Sequence, residues 1–234
     1  MSKKGQDPGL LSSGRGLTVR VESAKGRNAS STRWLKRQLN DPYVRKAQAA
    51  GYRSRAAFKL IELDDRFRVI KKGSRVIDLG AAPGGWTQVA LDRVGAAGKV
   101  VALDIKKWDE VSGATCLSCD FMDDEAPNYL KEALGHNENN LKVDVILSDM
   151  AAPTTGHSQT DHLRIIALAE AAWAFAEEVL APGGAFICKV FQGGTEMELL
   201  KLMRARCAKV AHAKPPASRK ESSEMYVVAK GFRG

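Results

Sequence analysis

The segment Asp78-Leu79-Gly80-Ala81-Ala82-Pro83-Gly84-Gly85-Trp86-Thr87 gathers an acid, glycines and an indole in one short stretch. Set between a strand and a helix, such a turn lets the backbone pass close beneath a bound nucleoside, and the helix amino terminus favours a carboxylate or phosphate. The spacing is not G-x-G-x-x-G, so a dinucleotide site is not indicated. Asp104 follows 24 residues after Gly80, and an acid there can accept hydrogen bonds from both hydroxyls of a ribose. Asp120 closes the next unit, within reach of an adenine amino group. Asp78, Gly80, Gly84, Trp86, Asp104 and Asp120 therefore describe a pocket that reads adenosine without a pyrophosphate. That points to S-adenosylmethionine (S-adenosyl-L-methionine) as the cofactor.

These residues need strands to carry them. Apolar β-rich runs alternate with helical stretches from residue 75 onward: RVIDLG, helix 84–94, KVVALD, ATCL, a helix near 124–134, VDVILSD, a helix near 160–180, AFICKVF, a helix near 195–207, KVAHA and MYVVAKG. Strands alternating with helices predict parallel β-α units in a doubly wound, Rossmann-like α/β sheet, with ligands at the carboxyl ends of its strands. Continuous apolar character in Val145-Ile146-Leu147 and Phe186-Ile187-Cys188 predicts strands covered on both faces. Ahead of the sheet, Ser54 to Phe67 has apolar residues at helical spacing, with Lys59 beside the stripe. Residues 33–50 read as helix on both sides of Asp41-Pro42, with Trp34 and Tyr43 set among cations. Such residues either stack on bases and contact phosphates or simply dock the segment on the body.

The run D-L-G-A-A-P-G-G-W resembles the cofactor motif of the FtsJ/RrmJ (RlmE) family of ribosomal RNA large-subunit methyltransferases. The likeness extends from about Arg33 to the carboxyl terminus through SRAAFKL, VIDLGAAPGGWTQVA, CDFMD, VDVILSDMA, GAFICKVFQG and SSEMYVVAKG. It implies the class I S-adenosylmethionine-dependent methyltransferase fold, a seven-stranded sheet whose last strand is antiparallel. It also implies a catalytic Lys-Asp-Lys-Glu tetrad: Lys59 in SRAAFKL, Asp149 in LSDMA, Lys189 in FICKVF and Glu224 in SSEMY, with Asp149 also beside the cofactor. The implied substrate is large-subunit ribosomal RNA, within the assembled subunit, methylated on the ribose 2'-hydroxyl of a uridine in the peptidyl-transferase A loop. Topology agrees with the tetrad, since Asp149 and Lys189 each close a parallel strand and an antiparallel last strand starts with Glu224 on the same edge. A ribose hydroxyl must be aligned with the methyl and lose a proton. A lysine takes a proton only when neutral, a state favoured by an apolar site and a second cation. Lys189, on an apolar strand with Lys59 as neighbour, fits the general base. Asp149 would orient the amine and Glu224 would tie the group together, although a nearby carboxylate favours the charged lysine, and the sequence leaves open which effect wins. One departure stands out: where the family commonly reads D-M-A-P-N, this chain has Asp149-Met150-Ala151-Ala152-Pro153-Thr154, which alters the substrate-side loop.

The net charge of +9 is unevenly placed: residues 1–75 hold 19 Lys and Arg against 6 Asp and Glu, whereas residues 76–234 hold 17 against 21. A basic arm over residues 1–32, rich in Gly, Ser, Lys and Arg, followed by one catalytic unit over 33–234 is the expected organisation, with the arm binding a polyanion. It has no apolar face for a membrane surface. No run reaches the roughly 18 apolar residues of a membrane span, and no signal peptide opens the chain, so a soluble, cytoplasmic monomer is expected. Cys116, Cys119, Cys188 and Cys207 suggest free thiols, because Cys116-Leu117-Ser118-Cys119 lacks two further ligands for zinc. No metal is expected. Two other functions fit the same residues: 2'-O-methylation of transfer RNA or an mRNA cap, and a non-catalytic RNA-binding factor of ribosome assembly. The complete tetrad weighs against the last.

Overall fold

The structure, a computed structural model, describes residues 29–135, 142–153, 155–192 and 197–234. Most of the expected arm, residues 1–28, lies outside the described residues, as does Thr154. Three helices open the described chain: α1 (Ala29–Asn40), α2 (Pro42–Ala49) and α3 (Ala57–Phe67). The break between α1 and α2 has a local cause. Asp41 caps α2, its carboxylate accepting from the Tyr43 amide at 3.0 Å, and Pro42 occupies the first turn, where its missing N–H costs nothing. The helix expected from Ser54 begins at Ala57, after a turn in which the Ala57 amide bonds Ser54 O at 3.2 Å. At its far end Asp64, almost fully buried, accepts from the Val69 and Ile70 amides at 3.0 and 2.9 Å and so leads the chain into the sheet.

The sheet contains β1 (Arg75–Leu79), β2 (Lys99–Asp104), β3 (Thr115–Ser118), β4 (Val143–Ser148), β5 (Leu180–Phe191), β6 (Cys207–Ala213) and β7 (Glu224–Phe232). Their order is β3-β2-β1-β4-β5-β7-β6, and β7 runs antiparallel to both its neighbours. The intervening helices are α4 (Gly85–Val94), α5 (Ala126–Ala133), α6 (Ser158–Val179) and α7 (Met197–Arg206). This is the doubly wound α/β architecture that the sequence pattern predicts, with the antiparallel last strand that the family resemblance implies. The chain order reverses between β1 and β4, where such sheets open a crevice beyond the carboxyl ends of their strands.

Residue alternation sorts the core into two layers. Ile77, Leu79, Val101, Leu103, Ile146, Phe186, Cys188, Val227 and Ala229 pack with residues of α5, α6 and α7. Val76, Val100, Val145, Leu147, Ile187, Tyr226 and Val228 pack with α3 and α4. Since successive side chains on a strand point to opposite faces, the same parity carries Asp149, Lys189 and Glu224 onto the face that α3 covers. Cys188 goes to the other. Burying both faces of these strands is worth about 1.5–3 kcal/mol for each large apolar side chain before the entropy cost of ordering. The sheet is thus rigid where the chemistry-bearing residues leave it.

Candidate active site

Four ionisable side chains meet at the carboxyl edge of β4 and β5. Lys189 does not close β5 but lies two residues before its end, between buried Cys188 and Val190; its ammonium lies 3.2 Å from Asp149 Oδ1 and donates to Asp149 O at 2.6 Å. Lys59, projecting from α3, donates to Glu224 Oε2 at 2.7 Å and approaches Tyr226 OH at 3.3 Å. The Tyr226 hydroxyl donates to Asp149 Oδ1 at 2.8 Å. The two lysine-carboxylate pairs are therefore one network, Glu224–Lys59–Tyr226–Asp149–Lys189. Lys59, Asp149 and Glu224 are mostly buried, with 12, 16 and 14% of their side chains exposed, and Lys189 keeps 8%. Burial alone would disfavour the Asp149 carboxylate, but Lys189 and Lys59 outweigh it and hold the carboxyl below its usual range. Burial, followed by the negative charge of Asp149 and Glu224, pushes the Tyr226 phenol well above its usual value, so it remains a donor.

Next to Asp149 opens a cavity of about 430 Å³. Gly80 and Ala82 from the turn after β1, Asp104 and Ile105 from the end of β2, and Asp120 and Met122 beyond β3 line one part of it. Its other wall is the loop after β4, with Arg164 and Leu168 of α6. Asp104 is held in place from both sides, accepting from the Ala82 amide at 2.9 Å and from the Lys106 amide at 2.8 Å. Asp120 accepts from the Met122 amide at 3.0 Å. Ile105 and Met122 are large apolar side chains with 64 and 53% of their surface exposed, an arrangement suited to the faces of a planar ring. Gly80, at φ +77°, brings the first turn so near the β4 loop that a Cβ would stand 2.7 Å from Met150 N and Cα. A side chain there would push the β4 loop away from the floor of the cavity.

Asp78, Gly84 and Trp86 do not line the cavity. Asp78 is fully buried, accepting from Thr87 Oγ1 at 2.7 Å, while its Oδ1 has no hydrogen-bond partner among the described residues. Burial pushes this carboxyl up to about 7, opposed by the Thr87 hydrogen bond and aided by the negative charges of Asp149 and Asp104. Gly84, at φ +107°, packs beneath Val111 and Trp108. Trp86 turns inward, its indole N–H donating to Ala56 O at 2.8 Å and its ring lying 5.6 Å from that of Tyr226. Its place is therefore structural: it fixes α3, and with it Lys59, against the tetrad face.

Sequence reasoning overlooked Tyr226, although a strand period of two from Glu224 assigns it to the same face. It also overlooked Ser218, whose hydroxyl donates to Glu224 Oε1 at 2.8 Å, and no local pattern marks that contact. Of the two expectations for Tyr43, docking is the one the structure supports: its hydroxyl donates to Glu62 Oε1 at 2.9 Å and its ring meets Phe58. The Trp34 side chain lies outside the described residues. Cys116 and Cys119 are spent on their own loop, the first accepting from the Val111 amide and the second donating to Asp120 O. Cys188 is buried in the opposite core layer, and burial pushes its thiol up to about 12. No helix among the described residues is long and apolar enough to cross a membrane.

Comparison with known proteins agrees with this architecture. Residues 52–232 match the family of FtsJ-like methyltransferases. A Ribosomal RNA large subunit methyltransferase E of Rhodospirillum rubrum is 66% identical over 94% of this chain and 83% of its own length. The protein of that name from Paramagnetospirillum magneticum is 62% identical over 94 and 90%. A crystal structure from Plasmodium falciparum, described as a ribosomal RNA methyltransferase, superposes with a TM-score of 0.69 at 33% identity, covering 78% of this chain and all of that one. This chain belongs to the FtsJ-like methyltransferase family.

Proposed function

We propose that this protein transfers a methyl group from S-adenosylmethionine to the ribose 2'-hydroxyl of a uridine in large-subunit ribosomal RNA, within the assembled large subunit. The observation that carries the chemistry is the network of two lysine-carboxylate pairs joined through Tyr226 at the rim of an acid-lined cavity. The RNA and its ribosomal origin rest on the relatives, which are large-subunit ribosomal RNA methyltransferases by name.

The cavity fits the cofactor. Asp104 would accept from both ribose hydroxyls and Asp120 from an adenine amino group, and Ile105 and Met122 offer apolar faces at the same cavity. Beneath the Gly80 turn, the unpartnered oxygen of Asp78 supplies negative potential that favours a cationic amine. When bound, S-adenosylmethionine supplies a methyl carried on a sulfonium and leaves as a neutral thioether.

The chain's own residues supply alignment and proton removal. Lys189 takes the 2'-hydroxyl proton as the new carbon–oxygen bond forms. Asp149 O, accepting one N–H of Lys189, fixes the amine so that its lone pair is presented in one direction. Asp149 Oδ1, between Lys189 and the Tyr226 hydroxyl, keeps that geometry during turnover. Lys59, held by Glu224, adds positive potential where the ribose oxygen develops negative charge. The Cys188 thiol is in the opposite layer and held in its neutral form, so a cysteine adduct to a pyrimidine ring has no nucleophile on this face.

Paired substitutions test the division of labour. Lys189→Ala should lower turnover by about 100-fold or more, the usual worth of a positioned base, with cofactor affinity nearly unchanged. Asp104→Ala should weaken cofactor binding first. Calorimetric titration with S-adenosylmethionine and methyl-transfer assays separate the two, and equal loss of cofactor affinity in both variants would sink the assignment.

A further inference from the structure

The residues that sequence reading assigned to RNA contact lie in the amino-terminal segment, but the fold adds a second stretch more than 160 positions away. The loop between β6 and β7, residues 214–223, is bound to α2 and α3 at several points. Asp41, buried at the start of α2, pairs with Arg55 at 3.0 Å and with Arg219 of the loop at 3.5 Å. The Ala217 amide donates to Glu62 Oε2 at 2.6 Å, and Arg55 donates to Ala217 O. Lys214 holds the loop's own carbonyls at Lys220 and Ser222.

The joined surface is strongly cationic. Residues 35–49 and 214–222 carry seven Lys and Arg and two acids, Asp41 and Glu221. Asp41 is consumed by Arg55 and Arg219, which leaves Glu221 as the exposed acid. Lys36, Arg37, Arg45, Lys46 and Lys220 are exposed and have no acidic partner among the described residues. The surface is continuous with the tetrad, because Ser218 in the same loop donates to Glu224.

We infer that α2 and the 214–223 loop form one docking surface for the phosphate backbone of the RNA that carries the target ribose, with Arg45, Lys46 and Lys220 as its phosphate-contacting cations. This rests on the reading of RNA as substrate. A polyanion needs such a rim here, since the cavity itself presents Asp104, Asp120 and Asp149 and would repel it. Cations on two segments fixed to each other by buried contacts also hold a strand in one direction across Lys59 and Glu224. Phosphate contacts of this kind set register and orientation and leave base choice to other groups.

The test is the salt dependence of binding to a fluorescently labelled RNA hairpin, measured by anisotropy with full-length protein. Each phosphate contact contributes about 0.7–0.9 to the slope of log affinity against log salt. Arg45→Gln with Lys46→Gln should lower the slope by about 1.5, Lys220→Gln alone by about 0.8, and the three together by their sum. The control is Lys71→Gln with Lys72→Gln, which removes two exposed cations ahead of β1, at the opposite edge of the sheet, and should leave the slope unchanged. An unchanged slope for Lys220→Gln, or an equal fall in the control, overturns the proposal. Methyl transfer by the unaltered protein to large-subunit ribosomal RNA, run alongside, separates this failure from failure of the functional reading.

Discussion

Replacing Asp78 by Asn should stabilise the ligand-free protein and weaken its hold on S-adenosylmethionine together. Asp78 is fully buried, has one hydrogen bond from Thr87 and carries an oxygen without a partner. Burial first, with Asp149 and Asp104 adding to it against the Thr87 bond, pushes the carboxyl from an ordinary value near 4 up to about 7. The sign follows from proton linkage. Below about pH 4 the carboxyl is neutral in folded and unfolded chains alike, and it costs nothing. Between about pH 4 and about pH 7 the unfolded chain releases a proton that the folded chain keeps, so stability falls by about 1.4 kcal/mol per pH unit. Above about pH 7 the loss levels off near 4 kcal/mol, an upper limit. Asn does not titrate, and its amide oxygen still accepts from Thr87. The variant's advantage should be about 1–2 kcal/mol at about pH 5 and about 4 kcal/mol at about pH 8. For a chain of this size the difference of about 3 kcal/mol is about 6–10 °C in Tm. Scanning calorimetry of both ligand-free proteins at the two pH values measures it. Calorimetric titration with S-adenosylhomocysteine, which keeps the amine, should show lowered affinity at about pH 8, where Asp78 is ionised and Asn withdraws its negative potential. A Tm difference that is the same at both pH values would show that Asp78 does not titrate as described.

Two further substitutions probe the network and the cavity floor. Tyr226→Phe removes the hydroxyl that joins the two pairs and should lower turnover by about tenfold or more, corresponding to about 1.5–3 kcal/mol for a hydrogen bond to a charged group, while cofactor affinity holds; single-turnover methyl transfer and calorimetry read the two quantities. Gly80→Ala places a methyl against the Met150 backbone at a left-handed φ, so it should abolish cofactor binding and lower thermal stability, and titration with unchanged affinity would contradict the described floor.

The sheet was legible because its strands are buried on both faces: Val76 and Ile77, or Ile187 and Cys188, enter opposite core layers, and that demand writes continuous apolar runs into the chain. Asp104 and Asp149 were legible because each stands at the end of such a run, and Lys189 because it is a charge set inside one, whereas Asp120 follows the short, half-exposed β3. Other features come from packing between segments far apart in sequence. The indole of Trp86, placed with the cofactor by its neighbours, is taken up by Ala56 and Tyr226. The docking of the 214–223 loop depends on Asp41 and Glu62, acids that look like ordinary helix-surface residues until the fold buries them against Arg55, Arg219 and Ala217. Tyr226 is intermediate, since the alternation that exposes it was available from Glu224 onward.

The central claim is that the methyl goes to the ribose oxygen and not to a base. Large-subunit ribosomal RNA, treated with the protein and S-adenosylmethionine labelled in the methyl group, should be hydrolysed in alkali and its fragments separated. A blocked 2'-oxygen cannot attack its own phosphate, so the label is expected in an alkali-resistant dinucleotide, and it should vanish with Lys189→Ala. Label recovered on a methylated base, with the adjoining linkage still cleaved, would contradict both the ribose target and the role given to Lys189.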